Sequence, residues 1–165
     1  ELVAKFLDSA DYLRCHDIDA LEAIVKLCVE SRQHSGPCRI GEWCARRLEA
    51  MSAFRLPHGY AVPMGVCIDC SYAVGRGIMK QSDRDAIRAM FADCGALDGL
   101  AHSHHLLSQC DAVLEGLDTW LRTDGDGAVE LLAAPGKRVV EPSPDRAIYE
   151  EAIKDFLSES IGARQ

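Results

Sequence analysis

Apolar residues recur three and four positions apart along almost the whole chain, which predicts a succession of amphipathic helices. The stripe Leu2, Val3, Phe6, Leu7 and Leu13 predicts a helix over about 1–13. Asp17 stands where it would cap a second helix, with Ile18, Leu21, Ile24, Val25, Cys28 and Val29 facing inward and His34-Ser-Gly-Pro37 ending it. A third helix begins near Gly41, buries Cys44, Leu48 and Met51, and stops at Arg55-Leu-Pro57. The fourth, from His58 to about Arg76, differs in kind. Val62, Met64, Val66, Cys67, Ile68, Cys70, Tyr72, Ala73 and Val74 leave it almost no polar face, as expected of a helix wrapped by others. Pro63 inside it removes a backbone donor and costs about 3 kcal/mol unless the first turn or a kink absorbs it.

Ser82 is expected to open a fifth helix with Ile87, Met90, Phe91 and Cys94 inward, followed by a loop from Gly95 to Gly99. A long stripe from Leu106 to Leu121 predicts one helix over about Ser103 to Arg122, with Gly116 as a candidate break. A turn cluster at Thr123 to Gly127 precedes two short strands, Ala128 to Ala134 and Lys137 to Glu141, which the Pro135-Gly136 pair makes a hairpin. Ser143 and Pro144 are placed as the cap and first residue of a last helix, with Ile148, Tyr149, Ala152, Ile153, Phe156 and Leu157 inward. The expected architecture is mainly α: one multi-helix bundle around a central apolar helix, with one small β-hairpin.

Composition narrows the possible partners. The 165 residues suffice for one domain with a real core, and a formal net charge of −8 disfavours nucleic acid and anionic membranes, which call for basic surfaces. No apolar run approaches the ~18 residues of a membrane-spanning helix, and there is no signal-peptide pattern. The chain opens on Glu1 within a helical pattern, and we expect it to be part of a longer protein. Of the eight cysteines, Cys15, Cys28, Cys67, Cys70, Cys94 and Cys110 occupy core-facing helical positions, where a free thiol acts as a small hydrophobe. Cys67-Ile-Asp-Cys70 lacks the second ligand pair of a structural zinc site. Reduced cysteines suit a cytoplasmic protein.

Two segments carry a family resemblance. Arg39 to Glu49 reads RIGEWCARRLE, and Arg55 to Gly65 reads RLPHGYAVPMG. They resemble the pattern D-F-G-H-W-x-A-H-K-L-E followed by R-L-x-H-G-E-A-V-x-x-G of dehydroquinate-synthase-like sugar phosphate cyclases, closest to members acting on sedoheptulose 7-phosphate. Gly116 to Lys137, GLDTWLRTDGDGAVELLAAPGK, is similar to the family's helix, hairpin and Gly-Lys ending. The resemblance implies the C-terminal helical domain of a two-domain enzyme, facing an N-terminal NAD-binding domain of the same chain across a cleft, with homodimerisation. In that family a glutamate and two histidines hold a divalent metal, usually zinc or cobalt. NAD transiently oxidises the sugar phosphate, phosphate is eliminated and the ring closes.

Carried over residue by residue, the resemblance places the metal glutamate at Glu1, one metal histidine at His58, and Glu42 where the other histidine stands. A further family histidine falls on Arg46, the substrate-binding Asn or Asp on Arg39, and the glutamate of H-G-E on Tyr60. Glu1, Glu42 and His58 are therefore the candidate metal ligands, and Arg39, Arg46 and Arg47 the candidate substrate-binding residues, able to grip phosphate bidentately. No residue is singled out as catalytic.

A second reading stands beside this one. Glu42 and Arg46 lie four apart with the acid nearer the helix start, an ordinary stabilising pair worth ~0.2–0.5 kcal/mol. On that reading the scaffold persists without activity, as a helical binding or interaction module. His102, His104 and His105 have no acidic or cysteine partner at ligand spacing and read as solvent-facing. Asp124 and Asp126 lack the later glutamate of an EF-hand. No Ser/His/Asp constellation, Gly-rich phosphate loop or H-E-x-x-H occurs.

Overall fold

The computed structural model describes residues 15, 17–124 and 126–162. The helix expected over 1–13, and Glu1 with it, lies outside them. Among the described residues there are seven helices and one two-stranded antiparallel sheet: α1 Ile18–Ser35, α2 Glu42–Met51, α3 His58–Gly75, α4 Gln81–Asp93, α5 Leu100–Leu107, α6 Cys110–Thr123, β1 Val129–Ala134, β2 Lys137–Glu141 and α7 Arg146–Gly162. None of these helices is long and apolar enough to cross a membrane.

The apolar pattern of α3 decides the architecture. The helix is flanked by α2, α4, β1 and α7, and almost everything from Ala61 to Ala73 is buried. Met64, Ile68 and Tyr72 join Leu48 of α2, Leu114 and Leu117 of α6, and Ile153 and Phe156 of α7 in one core. Each such side chain contributes about 1.5–3 kcal/mol by leaving water. Pro63 sits within the helix. Gly59, four residues earlier, whose carbonyl loses its helical donor to the proline, is itself an exposed residue of the first turn.

Two glycines bring the start of α2 against α3. Gly41, at φ 78°, precedes α2, and a Cβ there would lie 2.6 Å from the Val66 backbone nitrogen. A Cβ on Gly65 of α3 would lie 2.3 Å from the Gly41 carbonyl oxygen. Backbone meets backbone here, so the opening of α2 rests directly on α3. Elsewhere, buried Arg84 of α4 reaches Glu159 of α7 at 2.7 Å, tying a second pair of helices together.

Several details depart from the sequence expectation. Asp17 caps α1 as expected, its carboxylate accepting from the Ala20 N–H at 2.9 Å. Of the inward stripe, however, only Ile24 is buried. Ile18 is 77% exposed, and Leu21, Val25, Cys28 and Val29 are exposed as well. Periodicity placed these residues on one face correctly, but that face is not covered by the described body. Replacing Val25 and Val29 together with glutamate should therefore change chemical-denaturation stability by no more than about 0.5 kcal/mol. A loss of more than about 1 kcal/mol would show the face to be covered.

Cys15 is also exposed rather than core-facing; Cys67 and Cys70 are buried, and Cys94 and Cys110 half-buried. The helix expected over 103–122 is two, α5 and α6. They separate at Ser108 and Gln109, whose side chains both donate to the His105 carbonyl and draw the backbone out of the helix. Gly116 breaks nothing. It lies inside α6, where a Cβ would meet the Arg47 stem at 2.5 Å, so it admits that side chain. The hairpin forms as expected, with a register shift between Leu132 and Ala134. The last helix begins at Arg146, and Asp145, not Ser143, caps it by accepting from Ala147 and Ile148. The Ser143 N–H is itself taken by the Glu141 carboxylate.

Candidate functional site

The site is built where α2 opens against α3. Its foundation is Asp69, fully buried in the middle of α3. Its carboxylate accepts from the Gly41 N–H at 2.7 Å, the Trp43 indole N–H at 2.9 Å and the Tyr149 hydroxyl at 2.8 Å. Trp43 meets the Tyr149 ring edge-on, and Tyr149 stacks on Tyr72. One carboxylate thus pins the first turn of α2, the centre of α3 and the face of α7. Burial pushes its carboxyl from 3.8 up to about 6, while the bonds from Trp43, Gly41 and Tyr149 pull it back down. Sequence reading passed over Asp69 as a member of an apolar helix. An acidic residue in an otherwise apolar helix was the available signal.

With α2 held this way, its first and last turns present Glu42 and Glu49 on one face, seven residues or about 10.5 Å apart along the axis. His58, the first residue of α3, stands between them. Its Nδ1 lies 3.2 Å from Glu49 Oε1, and its Nε2 lies 3.7 Å from Glu42 Oε1. The ring is 57% exposed and the Glu42 side chain 23%. Two of the three candidate metal ligands, Glu42 and His58, therefore lie together; Glu1 lies outside the described residues. Glu49 went unrecognised in the sequence, although it falls on the same helix face as Glu42.

The arginines divide. Arg46 Nε lies 3.5 Å from Glu42 Oε2, and Nη1 lies 3.1 Å from Asp124. Its guanidinium covers the Trp120 ring at 5.2 Å, and that of Arg39 covers the same ring at 4.6 Å while donating to the Asp124 carbonyl. Trp120 is buried and donates its own N–H to Ala128. The Thr123 hydroxyl first, then the charges of Arg46 and Arg39, hold the Asp124 carboxyl below its ordinary value. Arg47 turns the other way, over Gly116, donating to the Ala112 carbonyl and pairing with Glu115.

The donor set limits what can bind. Glu42 and Glu49 approach opposite ring nitrogens of His58, so no single point is shared by all three. Among the described residues no group of three His, Cys, Asp or Glu side chains is arranged to hold a metal ion. On the Nε2 side, Glu42 and His58 supply two donors, and Arg46 competes for the carboxylate. The remaining motifs add no second centre. Cys67 and Cys70 are free, buried thiols. Burial pushes Cys67 up to about 12 and Cys70 higher still, the opposite of what a metal ligand or nucleophile requires. His102 and His105 are exposed on α5, His104 half-buried. Comparison of the chain with protein-family models, with curated proteins and with solved structures gives no match.

Proposed function

We propose that this chain is the metal- and substrate-binding helical domain of an NAD-dependent sugar phosphate cyclase of the dehydroquinate synthase kind, with an altered metal site. The observation that supports this reading most is the approach of Glu42 to His58 at 3.7 Å, across two helix openings sixteen positions apart in the chain. Central α3 and the hairpin that follows α6 agree with the same scheme.

In this reading Glu42 and the Nε2 of His58 are two ligands of a divalent ion and Glu1 is the third. Glu49, on Nδ1, fixes the tautomer and orientation of the imidazole, as a carboxylate behind a metal-bound histidine does. The ion, zinc or cobalt, would supply Lewis-acid polarisation of a substrate oxygen. Arg39 and Arg46 hold their guanidiniums on the Trp120 face, beside the carboxylates, and are the phosphate-recognising pair. Arg46, already bonded to Asp124, would exchange that partner for phosphate. NAD would belong to an N-terminal domain of the same protein, homodimerisation would follow the family, and the compartment would be the cytoplasm.

The test is a zinc and cobalt titration of the chain, followed calorimetrically and by the visible cobalt spectrum. The chain is expected to bind one ion. Glu49→Gln should weaken binding about 10–100-fold by freeing the imidazole, and His58→Ala more. Glu42→His, which installs the second imidazole, should tighten it, as should Arg46→Ala, which removes a competing cation. If Glu42→His and His58→Ala bind zinc no differently from the parent chain, the metal reading fails.

One observation favours a second reading. Arg46 already lies against Glu42, with a cationic group where a metal would compete. A chain in which that pair is structural would serve as a helical binding module. It would take up no stoichiometric metal, and Arg46→Ala would change only its stability, within about 0.5 kcal/mol.

A further inference from the structure

A cavity of about 580 Å³ opens between the α2–α3 turn and α5, and neither His58 nor the carboxylates of Glu42 and Glu49 beside it are among its lining residues. That volume is in the range of small-molecule sites, about 300–1,000 Å³. Buried Leu56 and Leu106 line it, and the Tyr60 ring forms a wall. Gly99 lets that ring seat, since a Cβ there would lie 2.8 Å from Tyr60 Cγ. The charged or chargeable lining is Arg55, His102 and His105, and no carboxylate is among the lining residues. In a chain with 26 acidic and 18 basic residues this is a local reversal of sign.

The arginine is also available. Arg46 and Arg47 on the neighbouring helix each reach a carboxylate. Arg55 spends only its Nε, on the Ser52 carbonyl at 3.1 Å, and pairs with no acid among the described residues. The turn that carries it is strained. Ala53 and Phe54, neither of them glycine, adopt φ 51° and 58° in succession. Left-handed backbone at residues with side chains is unfavourable and persists where the surroundings impose it. The Phe54 N–H bonds to the Glu49 carbonyl at 2.7 Å and the Leu56 N–H to the Ser52 hydroxyl at 3.1 Å, which hold the strained turn in place at the cavity. Phe54 itself is left 80% exposed.

We propose that this cavity is a binding site for a small aromatic or aliphatic molecule bearing one carboxylate. The apolar body lies on Leu56, Leu106 and the Tyr60 face. The carboxylate meets the Arg55 guanidinium, which offers planar two-point recognition, with the two imidazoles alongside. The site is independent of the metal reading, since it uses neither Glu42 nor His58.

The probe is 1-naphthoate, titrated calorimetrically into the chain, with neutral 1-naphthamide as the uncharged match. Naphthoate is expected to bind once per chain and about tenfold or more tighter than the amide. Arg55→Ala, at an exposed position that leaves the fold intact by circular dichroism, should remove most of that preference. The double change His102→Gln and His105→Gln should reduce it in part. Met51→Trp, which fills the cavity from its half-buried wall, should abolish binding of both probes. Equal binding of acid and amide, an unchanged affinity in Arg55→Ala, survival of binding in Met51→Trp, or no binding of naphthoate at millimolar concentration would each overturn the assignment.

Discussion

Asp69→Ala is expected to destabilise the chain by about 3–5 kcal/mol, a large part of the 5–15 kcal/mol by which a domain is ordinarily stable. The reason is what the substitution leaves behind. Three donors, the Gly41 N–H, the Trp43 indole and the Tyr149 hydroxyl, lose their acceptor in a place water does not reach. Each orphaned donor costs about 1–3 kcal/mol, moderated by local relaxation. Asp69→Asn should cost less. It keeps one oxygen for Trp43 and Tyr149 but turns an amide N–H toward that of Gly41. Urea denaturation of the three proteins measures both values, and a loss below about 1 kcal/mol in the alanine variant would mean that the anchor is not one.

The same residue fixes a pH dependence of defined sign. In the fold the Asp69 carboxyl is raised from 3.8 to about 6 by burial, so between those values the folded chain holds more proton than the unfolded one. Stability contributed by Asp69 is therefore greatest in acid and falls as pH rises through that window. The penalty of Asp69→Ala should be about 2 kcal/mol larger at pH 4.5 than at pH 7.5. Most paired carboxylates produce the opposite trend, so a penalty that grows toward neutral pH would contradict the burial argument.

Gly65→Ala is expected to be the second most damaging change. Alanine is intrinsically the better helix former by about 1 kcal/mol. At position 65 its Cβ would stand 2.3 Å from the Gly41 carbonyl oxygen and 2.9 Å from the Gly41 Cα, both of them backbone. Neither atom can rotate away, so α2 and α3 must part. Overpacking of this kind costs about 1–3 kcal/mol and sometimes more, and here it also stretches the bond from Gly41 to Asp69. A net loss of about 2–3 kcal/mol should result. Gly59→Ala supplies the contrast on the same helix. Nothing lies within 4 Å of a Cβ there, so that change should stabilise by up to about 1 kcal/mol. Similar outcomes for the two would remove the glycine crossing as an explanation of how α2 is seated.

Much of this architecture was legible in the order of residues. The all-round apolar character of the segment after His58 required a central helix, because no other position hides every face. Asp17 marked the start of α1, and Pro135-Gly136 between two runs of strand-forming residues specified the hairpin. These are local properties: propensity, capping and period act over a few residues and survive whatever packs around them.

The tertiary structure alone decided what each face meets. Period places Ile18, Leu21, Val25, Cys28 and Val29 on one side of α1, but only the fold shows that side uncovered by the described body. Arg39, Arg46 and Arg47 are close in sequence, yet two of them share the Trp120 ring while the third crosses to Glu115, because successive helical residues point about 100° apart. Asp69 draws its partners from 26, 28 and 80 residues away, and His58 takes Glu42 and Glu49 from a different helix. Helical period reports which side of a segment avoids water. The pairing of buried polar groups depends on which backbones come together, and here two glycines twenty-four positions apart let the opening of α2 meet α3.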